Sequence, residues 1–215
     1  MRTARPCGPV LIGSILAMLA SVGAPTLARA QANVEVIPYF ATYYALSALG
    51  FNNAPGEDVD VKQGSAPMGG VRIRARITDV FSVEGSVAFG NSPITGLAED
   101  PDVGEVGFAL AGNLLIANGR VVYSLPRSNL YLLGGAGIVQ RGGDFWDLSE
   151  DPQKTSIGGV LGAGVRAAVT PRFALDVALE ANLYSIDPDG DETAFDSKFQ
   201  QDFLIVIGIP IPIGG

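Results

Sequence analysis

The sequence predicts an all-β fold: an eight-stranded antiparallel up-and-down transmembrane β-barrel, preceded by a cleavable signal peptide. Three observations lead to this prediction. Apolar and polar residues alternate with period two, short and long connections alternate along the chain, and arginines on the polar faces fall opposite acids. The predicted strands are approximately 34–45, 68–77, 81–90, 108–125, 129–140, 156–169, 173–185 and 199–211.

The start of the chain has the features of a secretory signal peptide. Two arginines precede an uncharged, mostly apolar stretch at residues 9–23, and Ala28-Arg29-Ala30 matches an A-x-A cleavage pattern. We predict cleavage after Ala30, so that 1–30 is the signal peptide and 31–215 is the exported barrel domain. No apolar stretch reaches the roughly 20 residues that a membrane-spanning helix needs, so no such helix is predicted.

The composition excludes several kinds of chemistry. The chain has no His, and its single Cys, Cys7, precedes the predicted cleavage point. Histidine-based catalysis and thiol chemistry are therefore excluded from the exported part, and we predict neither enzymatic activity nor a cofactor. Acid pairs such as Asp176 and Glu180 could carry out acid–base chemistry, but we expect them to pair with interior arginines.

The charge of the exported part argues against nucleic acid as a partner. Three of the 14 basic residues and none of the 22 acids precede residue 31, which leaves a net charge of −11. A chain this acidic repels the phosphate backbone.

The connections between predicted strands fall into two classes. The short connections are 78–80, 126–128 and 170–172, and the long ones are 46–67, 91–107, 141–155 and 186–198. This alternation is expected of an up-and-down sheet whose tight turns all lie at one end. The long connections hold 16 of the 22 acids, so the opposite end is predicted to be strongly acidic.

The segment GVRIRARITDVFSVEGSVAF, residues 70–89, shows the alternation most clearly. A three-residue turn pairs its even positions and places Arg74 opposite Glu84. The same rule places Arg166 opposite Asp176 in the 156–185 hairpin. An unpaired charge in a dry interior costs several kcal/mol, so these pairs indicate that the charged face is the inside of the barrel. The predicted interior charge network is Arg72, Arg74, Arg76, Glu84, Arg120, Arg166, Asp176, Glu180 and Asp202.

Glycines are predicted to make room for these large side chains. Gly158, Gly162 and Gly164 share the polar face of their strand with Arg166. The interior of an eight-stranded barrel is narrow enough for side chains to fill. We therefore expect a packed, polar, salt-bridged interior with little lumen.

Aromatic residues mark both ends of the predicted strands. Tyr123 and Tyr131 flank the 126–128 turn symmetrically, and Phe residues directly follow the other two short turns. Two aromatic girdles around an apolar band are expected of an outer-membrane barrel, whereas in a soluble protein these would be ordinary core aromatics. The predicted girdle residues are Phe81, Phe89, Phe108, Tyr123, Tyr131 and Phe173.

Two long connections carry weaker candidates. Alternate acids with a glycine can bind Ca²⁺, but the spacing lacks the distal Glu of an EF-hand, so we favour a solvated acidic loop without a metal. The acids concerned are Asp187, Asp189, Asp191 and Glu192. Phe145 and Trp146 are predicted to be exposed loop aromatics that pack within the loop, lie at the membrane interface or contact a partner.

The sequence resembles the small eight-stranded outer-membrane β-barrel family, of the OmpA/OmpX and opacity-porin type. The resemblance covers essentially all of 33–211. It is carried by the hairpin phrases GGVRIRARITDVFSVEGSVAF, GRVVYSLPRSNLYLLGGAGIV and GGVLGAGVRAAVTPRFALDVALEANLY. It implies a porin-like protein of the Gram-negative cell envelope, located in the bacterial outer membrane. It also implies periplasmic short turns, surrounding lipid and lipopolysaccharide, and the barrel-assembly machinery as a partner.

The C-terminus departs from this family. Such barrels commonly end in an aromatic residue, whereas this chain ends IPIPIGG. Pro210, Pro212 and Pro38 cannot donate hydrogen bonds to a sheet, so the seam between first and last strands is predicted to fray near the short-turn end. The departure leaves open how the assembly machinery recognises the chain.

Two functional hypotheses follow. The first is a monomeric, non-enzymatic outer-membrane barrel with a structural or surface-interaction role, plugged by Arg–acid pairs or leaving a narrow pore. The alternative is a soluble exported lipocalin-like barrel that binds an apolar ligand. The two differ in which face lies inside, because a lipocalin would turn Val71, Ile73, Phe81 and Val83 inward.

Overall fold

The computed structural model describes residues 34–47, 49, 51–54, 57–100, 104–147, 154–170, 173–186 and 198–213. All of them belong to one compact unit, residues 32–215. The helical element in this part of the chain is the short 3-10 turn Asp144–Asp147. None of the helical structure described is long and apolar enough to cross a membrane.

The strands close into a barrel. In chain order they are β1 Val34–Ala45, β2 Phe51–Ala54, β3 Glu57–Gln63, β4 Ala66–Arg76, β5 Phe81–Asn91, β6 Ile94–Asp100, β7 Gly104–Leu110, β8 Asn113–Ser124, β9 Leu130–Gly142, β10 Thr155–Thr170, β11 Phe173–Ile186, β12 Lys198–Gly208 and β13 Ile211–Ile213. The main sheet runs β12-β11-β10-β9-β8-β5-β4-β1-β13, and β12 also pairs with β1. Since β12 and β13 are two pieces of one final strand, the barrel has eight antiparallel strands, which confirms the predicted fold.

The pairing between the first and last strands of the barrel, its seam, is interrupted and then resumes. β12 pairs with β1 from Ala45↔Asp202 to Tyr39↔Gly208. After a break at 209–210, β13 pairs with the start of β1, and Pro212 lies opposite Glu35. Only Pro210 lies in the break, and the Ile209 amide there still donates to the Pro38 carbonyl at 3.0 Å. The predicted fraying of this seam is therefore wrong for the described residues.

A second sheet contradicts the predicted loops at 46–67 and 91–107. It has the strand order β2-β3-β6-β7 and lies in the first two long connections. The predicted strand 108–125 was also wrong, because β7 ends at Leu110 and β8 begins only at Asn113. Between them the Gly112 carbonyl accepts a hydrogen bond from the Ser92 amide at 2.9 Å, where the chain passes from the loop sheet into the barrel.

The barrel is apolar outside and charged inside. Ile73 is 55% exposed, whereas its neighbours Arg72 and Arg74 are 0% and 6% exposed. Phe81 and Val83 also face outward. The lipocalin-like alternative requires the opposite arrangement. A continuous apolar outer surface is unusual for a soluble monomer and is expected of a barrel surrounded by lipid.

The predicted register holds in the β4–β5 hairpin and in most of the β10–β11 hairpin, where it shifts between Ala168 and Thr170, and it fails in the third hairpin. Arg74 lies opposite Glu84, and Arg166 lies opposite Asp176. Between β8 and β9, however, Tyr131 pairs with Ser124 rather than with Tyr123. The turn is one residue longer than predicted, with its closing hydrogen bond from Leu125 N to Leu130 O at 2.9 Å and a left-handed residue at Arg127 (φ 61°). A shift of one residue turns a side chain to the other face of the sheet. Tyr131 therefore points inward and does not belong to the girdle.

Glycines on the inner face leave room for the aromatic rings of neighbouring strands. A Cβ atom at Gly164 would overlap the ring and hydroxyl of Tyr131, and one at Gly70 would overlap the ring of Tyr39. At Gly85, on the outer face, a Cβ would meet no atom within 4 Å.

We expect Gly164→Ala to lower the free energy of unfolding by about 1–3 kcal/mol, because the added methyl group overpacks the interior. Gly85→Ala is the matched control and should change it by less than about 0.5 kcal/mol. Equilibrium urea unfolding of both variants in phospholipid vesicles, followed by circular dichroism, makes the comparison. Equal effects would show that Gly164 does not face Tyr131.

Candidate functional site

An ion-pair network crosses the barrel interior between the short-turn end and the middle. β4 contributes Arg72 and Arg74, β5 contributes Glu84, and β8 contributes Arg120, so three adjacent strands supply one side of the network. These residues face inward because they occupy even positions on strands whose odd positions are apolar. The acids that pair with these arginines from across the barrel lie on β11.

Glu84 lies at the centre of this network. Its Oε2 accepts a hydrogen bond from Arg74 Nε at 2.6 Å, and its Oε1 accepts one from Arg120 Nε at 2.7 Å. Arg120 Nη2 also contacts Oε1, and Arg72 Nε lies 3.8 Å from the same oxygen. One carboxylate thus neutralises part of the charge of three arginines.

Two acids of β11 complete the network. Glu180 accepts hydrogen bonds from Arg72 Nη2 at 2.6 Å and from Arg120 Nη1 at 2.8 Å. Asp176 accepts one from Arg74 Nη1 at 3.2 Å. These bonds connect opposite walls of the barrel, and buried pairs of this kind are favourable only when both partners are present.

Two tyrosines pack against the guanidinium groups. The Arg72 guanidinium lies 4.5 Å from the centre of the Tyr39 ring, and the Arg74 guanidinium lies 5.1 Å from that of Tyr131. The Tyr131 hydroxyl donates a hydrogen bond to Asp176 at 2.5 Å. Arginines held over aromatic faces are favourably placed, so the tyrosines fill the interior and stabilise its charges.

Arg166 extends the network to the short-turn end. Its Nη1 and Nη2 lie 3.0 and 2.9 Å from the two carboxylate oxygens of Glu35, and Nη2 also lies 3.3 Å from Asp176. The sequence interpretation missed Glu35. Its place on an inward position of β1, opposite Arg74 in register, is the signal that could have found it.

A second polar cluster lies toward the long-loop end. Arg141 Nη2 donates to the Tyr184 hydroxyl at 2.5 Å, and that hydroxyl in turn donates to Asp202. The predicted network included Asp202, but the structure places it here rather than with Glu84. Arg141 was predicted to be a loop residue, yet it lies at the end of β9 and is 2% exposed.

Much of the interior is apolar, which corrects the predicted polar interior. Buried apolar side chains cluster inside the barrel. Some come from strands with apolar residues on both faces, such as β8, which turns Leu114 and Ile116 inward. The interior therefore combines charged clusters with a packed apolar layer.

A smaller apolar cluster involves the long connections. Trp146, predicted to be exposed, is 1% exposed and packs with Leu49, Val61, Ile94 and Ile186. Phe108, predicted to be a girdle residue, packs against this cluster from the loop sheet. The Arg141 guanidinium lies 5.7 Å from the centre of the Trp146 ring. The aromatic side chains thus serve to pack the loops.

The remaining predicted residues are placed as follows. Arg76 is exposed at the short-turn end and makes no ion pair with any described residue, so it lies outside the interior network. Phe81 and Tyr123 form an aromatic pair on the outer face with ring centres 5.2 Å apart. Phe173 and Phe89 are 38% and 53% exposed. The candidate calcium loop, residues 187–192, lies outside the described residues.

A cavity of about 280 Å³ opens at the short-turn end. Arg74, Arg76, Arg166 and Glu35 supply its charged groups. Its polar lining also includes Ser82, Ser124, Ser128, Asn129 and Tyr131. In the described part of the chain, no cluster of acids has an arrangement suited to hold a metal ion.

Comparison with known proteins gives a family match and structural neighbours. The family described as "Outer membrane protein beta-barrel domain" matches residues 14–202. The outer membrane protein OprG from Pseudomonas aeruginosa is similar in structure, with a TM-score of 0.53, 14% identity, and coverage of 86% of this chain and 97% of that chain. Neisserial surface protein A has a TM-score of 0.47, 18% identity, and coverage of 84% and 97%. At these identities the likeness concerns the fold alone. A search of curated proteins found no match.

Proposed function

Because the chain belongs to the outer membrane protein β-barrel domain family, we propose that it is a closed, non-enzymatic barrel with a structural or surface-interaction role. The observation that carries this proposal is the network around Glu84, which joins β4, β5 and β8 to β11 across the interior. Side chains that form ion pairs across the interior obstruct a continuous water path through a barrel of eight strands.

The apolar layer and the loop cluster support a closed interior. Met68, Leu114 and Leu204 are nearly inaccessible to solvent. Trp146 and its neighbours are buried toward the long-loop end. An ion moving along the barrel axis would have to displace these apolar side chains as well as the charged network.

The lack of histidine in the sequence supports a non-enzymatic role. The buried acids Glu84, Asp176 and Glu180 are paired with arginines, and this pairing suits packing better than proton transfer. We propose outer-membrane lipid and lipopolysaccharide as the surroundings of a monomeric barrel that the barrel-assembly machinery inserts.

Planar-bilayer recording tests the closed interior. We expect the wild-type protein to show no sustained stepwise conductance, because the network and the apolar layer obstruct the axis. Removing Arg72 and Glu180 together, as Arg72→Ser with Glu180→Ser, deletes both partners of a 2.6 Å ion pair and leaves no new net charge. This double variant should conduct more than the wild type.

Arg127→Gln, at an exposed turn residue, is the matched control for a substitution outside the interior, and it should stay as silent as the wild type. Large stepwise currents through the wild-type protein would contradict the closed interior.

A further inference from the structure

The cavity at the short-turn end carries a positive charge that no described acid neutralises. Within the ion-pair network, four arginines face four carboxylates. These are Arg72, Arg74, Arg120 and Arg166 with Glu35, Glu84, Asp176 and Glu180. Arg76 lines the same cavity but has no described acid as its partner. Asp79, on the adjacent turn, does not line the cavity. Counted over the network and Arg76 together, the described residues have one cation in excess, and three of the four charged residues that line the cavity are arginines.

The cavity also has unused hydrogen-bonding capacity. Arg74 lines it and is 6% exposed, and its Nη2 is buried without a hydrogen-bond partner among the described residues. A buried guanidinium nitrogen left unpaired is costly. The hydroxyls of Ser82 and Ser124 line the same space and can donate hydrogen bonds, whereas the Ser128 hydroxyl already donates to the Leu125 carbonyl at 3.2 Å. An acceptor-rich ligand in the cavity would accept hydrogen bonds from Arg76 and from the serine hydroxyls, and it would reach the buried Arg74 Nη2 only if that side chain shifted.

The size and charge of the cavity restrict the ligand class. Pockets for drug-sized ligands usually measure roughly 300–1,000 Å³, so a cavity of about 280 Å³ suits a small solute. A guanidinium presents parallel donors that match the oxygen pair of a phosphate or carboxylate. We propose that this cavity binds a small oxyanion, held by Arg76 together with Arg74 and the hydroxyl groups.

The family's orientation places the short turns in the periplasm, so the ligand would enter from that side. It could be free phosphate or the carboxylate of a small organic acid. Binding there needs no continuous path through the barrel, so this proposal does not depend on whether the interior conducts.

Titration calorimetry on protein extracted from membranes in a zwitterionic detergent tests the proposal. The probes are sodium phosphate and sodium acetate in separate arms, with sodium chloride as the ionic-strength control. We expect saturable binding of at least one oxyanion and none of chloride. The arm with the higher affinity identifies the source of the oxyanion.

Arg76→Gln removes the excess cation from an exposed position with no described ion pair, so the fold should persist. We expect about ten-fold weaker oxyanion binding, because a charge-assisted hydrogen bond is lost. Arg127→Gln is the matched control, since this exposed arginine lies at the same end of the barrel but does not line the cavity. Its affinity should stay within about two-fold of wild type.

The proposal is overturned if the wild-type protein binds neither oxyanion saturably. It is also overturned if Arg127→Gln weakens binding as much as Arg76→Gln, because the effect would then reflect the charge of the surface rather than this cavity. Heat-modifiable gel mobility of each variant verifies that the barrel is folded in every comparison.

Discussion

Glu84→Gln is expected to lower the free energy of unfolding by about 3–5 kcal/mol, since it leaves buried arginines without their shared counter-charge. Glu84 is 4% exposed and makes its two shortest described hydrogen bonds to Arg74 and Arg120. Gln keeps the size of the side chain but loses its charge, so the loss reports electrostatics rather than a cavity. Equilibrium urea unfolding in phospholipid vesicles measures it.

Asp79→Asn is the matched control, because Asp79 is an exposed acid in the turn of the same hairpin. Its effect should stay within about 0.5 kcal/mol. Combining Glu84→Gln with Arg120→Gln should give a coupling energy of about 0.5–3 kcal/mol, because the second change removes one of the stranded charges. If Glu84→Gln is as mild as Asp79→Asn, the network does not bear on stability.

Leu179→Arg is expected to cost about 2–4 kcal/mol, the range for a basic residue on the lipid face near the bilayer midplane. Leu179 lies in the middle of β11, is 51% exposed, and has outward-facing Ile205 as its neighbour in register. The change should also slow insertion of the barrel into vesicles, because a charge must then enter the hydrocarbon layer.

Leu46→Arg provides the depth control. Leu46 is 65% exposed and directly follows β1, at the long-loop rim of the barrel. An arginine near the interface costs roughly 0–1 kcal/mol. Similar small costs for both variants would mean that the middle of β11 does not face lipid.

The 68–90 hairpin was predicted down to its cross-strand pairs. Both arms alternate strictly, and the Ile77 amide donates to the Phe81 carbonyl at 2.9 Å across the predicted turn. Because side chains alternate with period two, a clear pattern on both strands and a short turn leave only one register that buries the charges.

The β8–β9 hairpin could not be predicted in the same way. β8 has apolar residues on both faces, with Ile116 inside and Val121 outside, so its pattern does not define which face is buried. The register then depends on the turn, and the positive φ of Arg127 is not visible in the alternation. That single conformation moves Tyr131 from the predicted girdle to the interior.

The local sequence pattern also cannot predict which residues pair across the barrel. Arg72 and Glu180 are 108 residues apart in sequence, and they meet because of how the barrel closes and how its strands are staggered. The sequence indicates that interior arginines need acids, but it does not say which acid each one contacts. The loop sheet was missed because 46–67 and 91–107 were interpreted as long connections between barrel strands, although β3, β6 and β7 form a paired sheet there.

An inside-out barrel in a membrane predicts the outcome of a nitroxide scan of β11. The single cysteine, Cys7, lies in the predicted signal peptide, so introduced cysteines can be labelled specifically in the exported barrel. In phospholipid vesicles, labels at Leu179 and Ala181 should be accessible to oxygen and protected from a water-soluble nickel chelate. Labels at Ala178 and Asn182, which are buried inside, should be poorly accessible to both reagents. Strong nickel access at Leu179 would contradict this arrangement of the barrel in the membrane, because it would place the apolar face in water.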